Sequence, residues 1–250
     1  MTLNNIRLRQ PLVHCITNYV VANFTANGLL AIGASPVMAD EIAEVEEMVS
    51  IADSLLINIG TLNTRTLESM LVVGKKANER NIPVVLDPVG VGATSFRKAS
   101  VQQLLEQVKF TTIRCNVGEL AAIAGVQWQA RGVDSGEGEL DTVTVAKEVA
   151  RKWGAIVVVT GETDILTNGT NVELITGGDE RMTKITGSGC LLSAICSAAL
   201  AVEGNNLQLL KEILQQYKQI AIDACEAAYM GSFQMKVIDG LEQYARGGQI

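Results

Sequence analysis

The chain has 250 residues, 48% of them hydrophobic and 19% charged, with a formal net charge of −7 at pH 7 and a pI near 4.9. It has no cluster of lysines and arginines for a nucleic-acid backbone and no apolar run of the roughly 20 residues that span a membrane, so neither partner is expected. Because no linker of biased composition divides the sequence, we expect one domain over residues 1–250.

Short β-branched runs alternate with longer segments of helical periodicity, which predicts a mostly parallel α/β sheet covered on both faces. A first helix is predicted at 19–32, with Thr17 or Asn18 near its N-cap and Gly33 after its end. The following elements are predicted strands at 54–59, 83–87, 111–115 and 155–160, with crossover helices at 63–81, 95–109 and 142–153.

The last third of the sequence predicts a hairpin followed by helices. Asn168-Gly169 lies between the short runs 165–167 and 171–175, which is typical of two antiparallel strands. Three helical segments follow at 190–203, 207–230 and 237–246.

The cysteines and the first ten residues indicate the cellular compartment of the protein. The five cysteines are odd in number and show no C-x-x-C spacing, so we expect reduced thiols, four of them in the core. Residues 1–10 contain no apolar signal core. Both features predict a cytoplasmic protein, and the low charged fraction favours an oligomer.

Residues 187–189 read Gly-Ser-Gly and open directly into a predicted helix of small residues. The free N–H groups and the dipole at such a helix start favour a phosphate, although the glycines would equally suit a tight turn. The same position predicts a lowered pKa for the thiol of Cys190. The sequence has no P-loop motif, and the run from Gly90 lacks the last glycine of a dinucleotide fingerprint.

Polar residues end three of the predicted parallel strands, at Asp87, Arg114 and Thr160. The carboxyl ends of parallel strands meet at one edge of a sheet, so we expect these side chains to converge on one crevice. Asp87 and Glu119 offer the oxygen ligands that Mg²⁺ prefers. They could instead serve a strand-end turn and the first turn of a helix.

Taken together, these motifs resemble the hydroxyethylthiazole kinase family, a thiamine-salvage branch of the ribokinase-like fold, over nearly the whole chain. Five segments in order carry the resemblance: 11–23, 33–40, 86–93, 114–119 and 186–190. The resemblance implies a three-layer α/β/α fold and Mg²⁺-dependent transfer of phosphate from ATP to the hydroxyl of 4-methyl-5-(2-hydroxyethyl)thiazole. It also implies a homotrimer with active sites at subunit interfaces.

The resemblance further implies roles for individual residues on the thiazole side. Asn18 and Met38 would hold the thiazole, and Gly187 would lie beside its hydroxyethyl arm. Cys190 would orient the acceptor hydroxyl at a position where most ribokinase-like kinases have aspartate. Gly60, which follows the run Ile57-Asn58-Ile59, is predicted to line the same pocket, whereas Met38 could instead be a core residue.

On the ATP side, the resemblance implies that Arg114 and Thr160 contact the phosphates and their surroundings. The amides from Gly187 to Cys190, including that of Gly189, would stabilise phosphoryl charge. Asp87 and Glu119 would organise Mg²⁺ and its waters.

Two alternatives stay open at this point. One is another enzyme of the same fold, because pyrimidine alcohol kinases and ATP-dependent dehydratases share it. The other is a nucleotide- or thiazole-binding protein without turnover. The Asn18 and Met38 neighbourhood favours an apolar slot, and a hydroxyl-facing thiol at Cys190 is not needed for binding alone. The single histidine, His14, makes a triad hydrolase unlikely, and its apolar neighbours favour a packing role.

Overall fold

The computed structural model describes residues 2–126, 141–204 and 206–248. Within these ranges, eight strands form one sheet in the order β2-β1-β3-β4-β5-β6-β7-β8. The strands are β1 (Leu12–Ile16), β2 (Ser35–Val37), β3 (Ser54–Asn58), β4 (Val84–Asp87), β5 (Thr112–Asn116), β6 (Ile156–Thr160), β7 (Asp164–Thr167) and β8 (Val172–Ile175). Strands β1 to β6 pair in parallel, and β7 and β8 continue the sheet as antiparallel strands.

Helices cover both faces of this sheet. They are α1 (Thr2–Arg9), α2 (Ala22–Ala31), α3 (Val45–Ile51), α4 (Thr64–Glu79), α5 (Ser95–Gln107), α6 (Val117–Ala124), α7 (Thr142–Trp153), α8 (Ser188–Glu203), α9 (Leu207–Asp223) and α10 (Met230–Ala245). One core packs α1, α2 and α8 to α10 on the sheet, and a second packs α3 to α7 on the opposite face. Alternate strand residues enter the two cores: Leu56 belongs to the first, and Leu55 and Ile57 to the second.

The predicted strands and the hairpin are confirmed to within about two residues, as is the three-layer architecture. The helix predicted at 19–32 is α2, and it begins at Ala22. Asn18 does not cap it, because the Asn18 side chain bonds to Asn58 instead. The strands β1 and β2 and the helices α1, α3 and α6 were not predicted. No helix within the described residues is long and apolar enough to cross a membrane.

The predicted helix over 207–230 is two elements. Helix α9 ends at Asp223, a 3-10 turn covers Ala224–Glu226, and α10 begins at Met230 instead of the predicted 237. The Arg181 guanidinium donates to the carbonyl oxygens of Cys225 and Ala227, both at 2.9 Å, and so gives these carbonyls partners outside a helix. All five cysteines lie in the described ranges and are free; four are buried as expected, and Cys225 is exposed.

Candidate active site

Polar side chains gather at the carboxyl edge of the parallel strands. The register places Asn58, the last residue of β3, beside Asp87, the last residue of β4. It also places Asn116 at the end of β5 beside Thr160 at the end of β6. The predicted convergence of strand ends is confirmed, and Asn58 joins it as a residue that the sequence did not single out.

A buried chain of hydrogen bonds runs along this edge through Asn58. The Asn18 Nδ2 donates to Asn58 Oδ1 at 2.8 Å, and Asn58 Nδ2 donates to Asp87 Oδ2 at 2.7 Å. The Gly60 amide donates to the same Asn58 Oδ1 at 2.9 Å, and Ser193 of α8 donates to Asp87 Oδ2 at 3.0 Å. Asn58 therefore connects two predicted substrate residues with the predicted metal ligand.

Asp87 is fully buried and only half satisfied. Its Oδ1 has no hydrogen-bond partner among the described residues and lies 3.7 Å from Arg114 Nη1. Burial raises the pKa of Asp87 to about 6, although the nearby Arg114 lowers it. A buried carboxylate oxygen without a hydrogen bond is suited to a cation or to a charged ligand that arrives later.

Glu119 holds two segments together at the start of α6. Its Oε2 accepts from the Asn116 amide at 2.8 Å while Asn116 Oδ1 accepts from the Glu119 amide at 2.9 Å, which forms a capping box. Its Oε1 accepts from the amide of Gly90, in the loop after β4, at 2.9 Å. The capping role considered from sequence is therefore present, and each oxygen keeps a lone pair for another ligand.

The two carboxylates fit Mg²⁺ better than a metal that needs an all-protein cage. In the part of the chain that the structure describes, no group of three or more His, Cys, Asp or Glu side chains could hold a metal. Mg²⁺ typically takes one or two carboxylates and completes its shell with phosphate oxygens and water. The half-satisfied Asp87 beside Glu119 matches that donor set.

The helix start for which an anion site was predicted is the N-terminus of α8. Gly187 is its N-cap with φ of 92°, and none of the described side chains caps the helix. A β-carbon on Gly189 would collide with the Arg114 guanidinium, so glycine lets that cation approach the helix start. Arg114 also donates to the Thr160 hydroxyl. Gly189, Arg114 and Thr160 thus meet at one point, and we call them, together with Asp87, Glu119 and Cys190, the phosphate end.

The predicted lowering of the Cys190 pKa is wrong. Burial raises the pKa of this thiol to about 11, and the Asp87 carboxylate adds to the rise. The lowering by Arg114 and by hydrogen bonds from Asn58 and Asn18 is smaller. Cys190 is only 9% exposed, so the cost of burying a thiolate exceeds the benefit of the helix start. At neutral pH Cys190 is a thiol, with its Sγ 3.6 Å from Asn18 Nδ2.

A cavity of about 240 Å³ lies beside the phosphate end, between the segments that follow β1, β2 and β3. We call it the ring cavity. Its wall includes Met38, which is 37% exposed and therefore not a core residue. Asn58 belongs both to this wall and to the buried chain of hydrogen bonds. The prediction that Gly60 lines this pocket is wrong, and Asn18 does not line it either; each instead donates a hydrogen bond to Asn58, which does line it.

Two further predictions concern residues near this edge. Gly187 lies against the start of α2, where a β-carbon would come within 2.5 Å of the Val21 side chain. His14 is fully buried, with Nε2 2.7 Å from the carbonyl oxygen of Ala39, which confirms its packing role. Burial lowers the pKa of His14.

The chain is similar in sequence and in fold to known proteins. A sequence model of the hydroxyethylthiazole kinase family matches residues 3–246. A protein from Lysinibacillus sphaericus named hydroxyethylthiazole kinase is 54% identical over 250 residues, which cover 100% of this chain and 98% of that protein. The solved structure of a hydroxyethylthiazole kinase from Pyrococcus horikoshii matches with a TM-score of 0.88 and 39% identity, over 97% of this chain and 91% of that one.

A more distant structure bears on the fold alone. A ribokinase-like superfamily protein from Enterococcus faecalis matches with a TM-score of 0.71 at 14% identity, over 98% of this chain and 89% of that one. The expected ribokinase-like architecture is therefore confirmed.

Proposed function

The chain belongs to the hydroxyethylthiazole kinase family, and from this premise we propose that it transfers the γ-phosphoryl group of ATP to the hydroxyl of 4-methyl-5-(2-hydroxyethyl)thiazole, a step of thiamine salvage. The observation that carries this proposal is the position of Asn58. Its side chain lines the ring cavity and bonds directly to Asp87 at the phosphate end, so one side chain touches both halves of the site.

The thiazole ring occupies the ring cavity in this proposal, with Met38 against it. Its hydroxyethyl arm passes Asn58 toward Cys190, bordered by Asn18, Gly60 and Gly187. Support comes from the contacts of Asn18, which donates to Asn58 and lies 3.6 Å from the Cys190 sulfur. The arm therefore presents its hydroxyl oxygen where the thiol and the start of α8 meet.

Cys190 acts in this proposal by orienting the acceptor hydroxyl. With a pKa near 11 it is a thiol and not a thiolate at neutral pH, so it is a poor general base. In a loose, metaphosphate-like transition state the hydroxyl loses its proton late, and positioning matters more than base strength. The new bond between hydroxyl oxygen and phosphorus forms as the bond from phosphorus to the ADP oxygen breaks, and the hydroxyl proton is released to solvent water.

Arg114 and the first amides of α8 stabilise the phosphoryl charge in this proposal. Their support is geometric, since Arg114 packs against Gly189 and the helix start is uncapped by the described side chains. Thr160 accepts a hydrogen bond from Arg114 and holds it in place. Asp87 and Glu119 would hold Mg²⁺, which when bound neutralises charge on the β- and γ-phosphates.

We extend the proposal to a cytoplasmic homotrimer. Tyr19 lies in the wall of the ring cavity and is 82% exposed, and the next residue, Val20, is 61% exposed. Exposed apolar side chains beside a cavity are suited to a neighbouring subunit that completes the pocket. Five free cysteines and the use of ATP favour the reducing cytoplasm.

The test is ADP release by the purified protein with Mg·ATP, with and without hydroxyethylthiazole. Aminomethyl-pyrimidine alcohol and ribose are run in parallel, because they represent the other kinases of this fold. We expect release that depends on the thiazole. Equal stimulation by another alcohol would contradict the substrate assignment. Release that no acceptor stimulates would contradict the kinase activity, and no release with any acceptor would favour a binding protein without turnover.

A further inference from the structure

The half-buried Arg97, in the first turn of α5, joins the loops that follow β3 and β4. Its Nη1 donates to the carbonyl oxygens of Ile59 at 2.7 Å and of Val89 at 2.6 Å, and its Nη2 donates to that of Gly60 at 2.7 Å. A guanidinium is planar, so its nitrogens keep a fixed geometry, and its charge strengthens each hydrogen bond. Arg97 therefore holds the two loops in a fixed position relative to each other.

The loop after β3 carries this contact to Asn58. A trans peptide unit is planar, with its C=O and N–H groups pointing in opposite directions, so a bond to the carbonyl also orients the amide. The described ranges contain no cis peptide bond. The unit that presents the Ile59 carbonyl to Arg97 presents the Gly60 amide to Asn58 Oδ1, at 2.9 Å. Arg97 thus orients the amide that holds the Asn58 side chain, which in turn donates to Asp87.

The loop after β4 carries the same kind of contact to Glu119. The unit that presents the Val89 carbonyl to Arg97 presents the Gly90 amide to Glu119 Oε1, at 2.9 Å. Gly90 has φ of 65°, a conformation that favours glycine and that turns the chain at this point. Arg97 thus orients an amide that fixes one oxygen of a proposed Mg²⁺ ligand.

We infer that Arg97 is a positioning residue for phosphoryl transfer, because one guanidinium sets Asn58 and Glu119 relative to each other through two peptide units. The inference rests on the proposed function, in which Asn58 connects the ring cavity with the phosphate end and Glu119 faces Mg²⁺. Arg97 is not part of the wall of the ring cavity. It therefore acts on the chemical step and not on thiazole binding, since a small misplacement of reacting groups lowers the rate steeply.

Arg97→Met tests this inference, because methionine keeps an apolar stem and removes every donor. Arg80→Met is the matched control. Arg80 Nη1 also donates to two backbone carbonyls, those of Val49 at 2.7 Å and Ala52 at 3.3 Å, but it does so before β3 and β4, at the opposite edge of the sheet. Both variants lose charge-assisted bonds to the backbone, so the control accounts for lost stability.

The first measurement is hydrogen–deuterium exchange of the protein without ligands, followed by mass spectrometry on peptides that contain Gly60 or Gly90. We expect both peptides of Arg97→Met to exchange about tenfold faster than those of wild type, because their amides are no longer held against Asn58 and Glu119. Arg80→Met should exchange at both peptides within about twofold of wild type. Unchanged exchange in Arg97→Met, or an equal increase in Arg80→Met, would overturn the inference.

The second measurement is the kinetics of the same variants. We expect kcat of Arg97→Met to fall about 30-fold and its Mg²⁺ concentration for half-maximal activity to rise about threefold. Thiazole affinity, measured by calorimetry, should stay within about threefold. Arg80→Met should keep all three values within about twofold. A loss of thiazole affinity as large as the loss of kcat would contradict a role in positioning for the chemical step.

Arg97→Lys is the second variant, and it keeps the inference testable if Arg97→Met does not fold. Lysine keeps the charge, but one ammonium cannot reproduce bonds from two nitrogens to both loops. We expect its kcat to fall about fivefold and at least one of the two peptides to exchange faster. Wild-type exchange and wild-type kcat in Arg97→Lys would overturn the inference.

The two measurements also separate the inference from the proposed function. Faster exchange at both peptides in Arg97→Met, in a protein whose wild type does not phosphorylate the thiazole, would contradict the kinase proposal and the catalytic part of the inference while supporting the contacts to Asn58 and Glu119. Wild-type turnover of the thiazole, with unchanged exchange and unchanged kcat in Arg97→Met, would contradict the inference alone.

Discussion

The ring cavity and the phosphate end satisfy their polar groups in different ways. In the cavity wall, charged and amide side chains pair with one another, as Asp40 does with Arg65, and exposed apolar side chains such as Met38 form the rim. At the phosphate end, Asp87 and Arg114 are buried or nearly so, and each keeps one atom without a hydrogen bond among the described residues. Under the proposed function, the first arrangement suits a neutral ring and the second suits groups whose charge changes during reaction.

Asp87→Asn should have the largest effect on activity, and that effect should be limited to the phosphate end. The amide keeps the size of the side chain but removes the charge opposite Arg114. We expect kcat/KM for the thiazole to fall roughly 100- to 1000-fold, whereas thiazole affinity measured by calorimetry stays within about twofold.

Asp53→Asn makes the same charge change at the opposite edge of the sheet, where the Asp53 carboxylate is exposed and accepts from the Leu12 amide. It should leave kcat/KM within about twofold of wild type. If Asp87→Asn instead weakened thiazole binding as much as it lowered kcat/KM, the two ends would not be functionally separate.

Cys190→Ala should lower kcat by roughly 10- to 100-fold with little change in thiazole affinity, because it removes an orienting contact at the reacting oxygen. Cys190→Asp should retain or raise activity, since a carboxylate can orient the hydroxyl and also accept its proton. Cys196→Ala, a truncation of another buried thiol in the same helix, is the control.

An unchanged kcat in Cys190→Ala would remove this residue from the mechanism. The raised pKa adds a second criterion, because a thiol with a pKa near 11 stays protonated throughout the neutral range. An inflection of the wild-type kcat between about pH 7 and 9 that disappears in Cys190→Ala would show a thiolate base and contradict the orienting role.

These two residues also show what the sequence could predict. Asp87 was found because it ends a β-branched run, and parallel strands bring their carboxyl ends together whatever the details of packing. The pKa of Cys190 was predicted in the wrong direction, because the sequence shows a helix start but not how deeply the thiol is buried.

The elements that were missed have a similar cause. Strand β1 contains His14, whose polarity interrupts the apolar run, yet the ring is buried against the Ala39 carbonyl. Strand β2 has three residues and includes Pro36, as edge strands can. Asn58 was missed because a single amide inside a buried strand has no sequence signal of its own; its role depends on Asn18 and Asp87, both distant in sequence.

Glu119→Gln tests the proposed metal role within the phosphate end. Glutamine can keep the capping box at the start of α6 but loses the hydrogen bond from the Gly90 amide, because it has one acceptor oxygen. An unchanged melting temperature would show that the fold holds while the charge proposed to face Mg²⁺ is lost. We expect the Mg²⁺ concentration for half-maximal activity to rise about tenfold. Glu79→Gln, at the exposed end of α4, is the control. A Mg²⁺ dependence equal to that of wild type would show that the ligand assignment is wrong.

Met38→Ala should have the smallest effect, and that effect should be limited to thiazole binding in the ring cavity. Met38 is 37% exposed, so truncation removes only part of a buried apolar contact, and we expect thiazole affinity to fall about fivefold with kcat unchanged. Met38→Leu keeps most of the volume and should recover most of that loss. Met235→Ala truncates an exposed methionine of α10, outside the cavity wall, and serves as the control.

The kinetic constant that changes in the Met38 variants shows what the contact to the ring does. A contact to the ring is the same in the bound substrate and in the transition state, so its loss raises KM and leaves kcat alone. A fall in kcat for Met38→Ala without a change in affinity would mean that the ring cavity also positions the hydroxyl for reaction. Asn58 would then connect the ring cavity with the phosphate end, because its side chain belongs to the cavity wall and also donates to Asp87. Combining Met38→Ala with Asp87→Asn distinguishes these cases, since independent ends give additive free-energy changes and coupled ends do not.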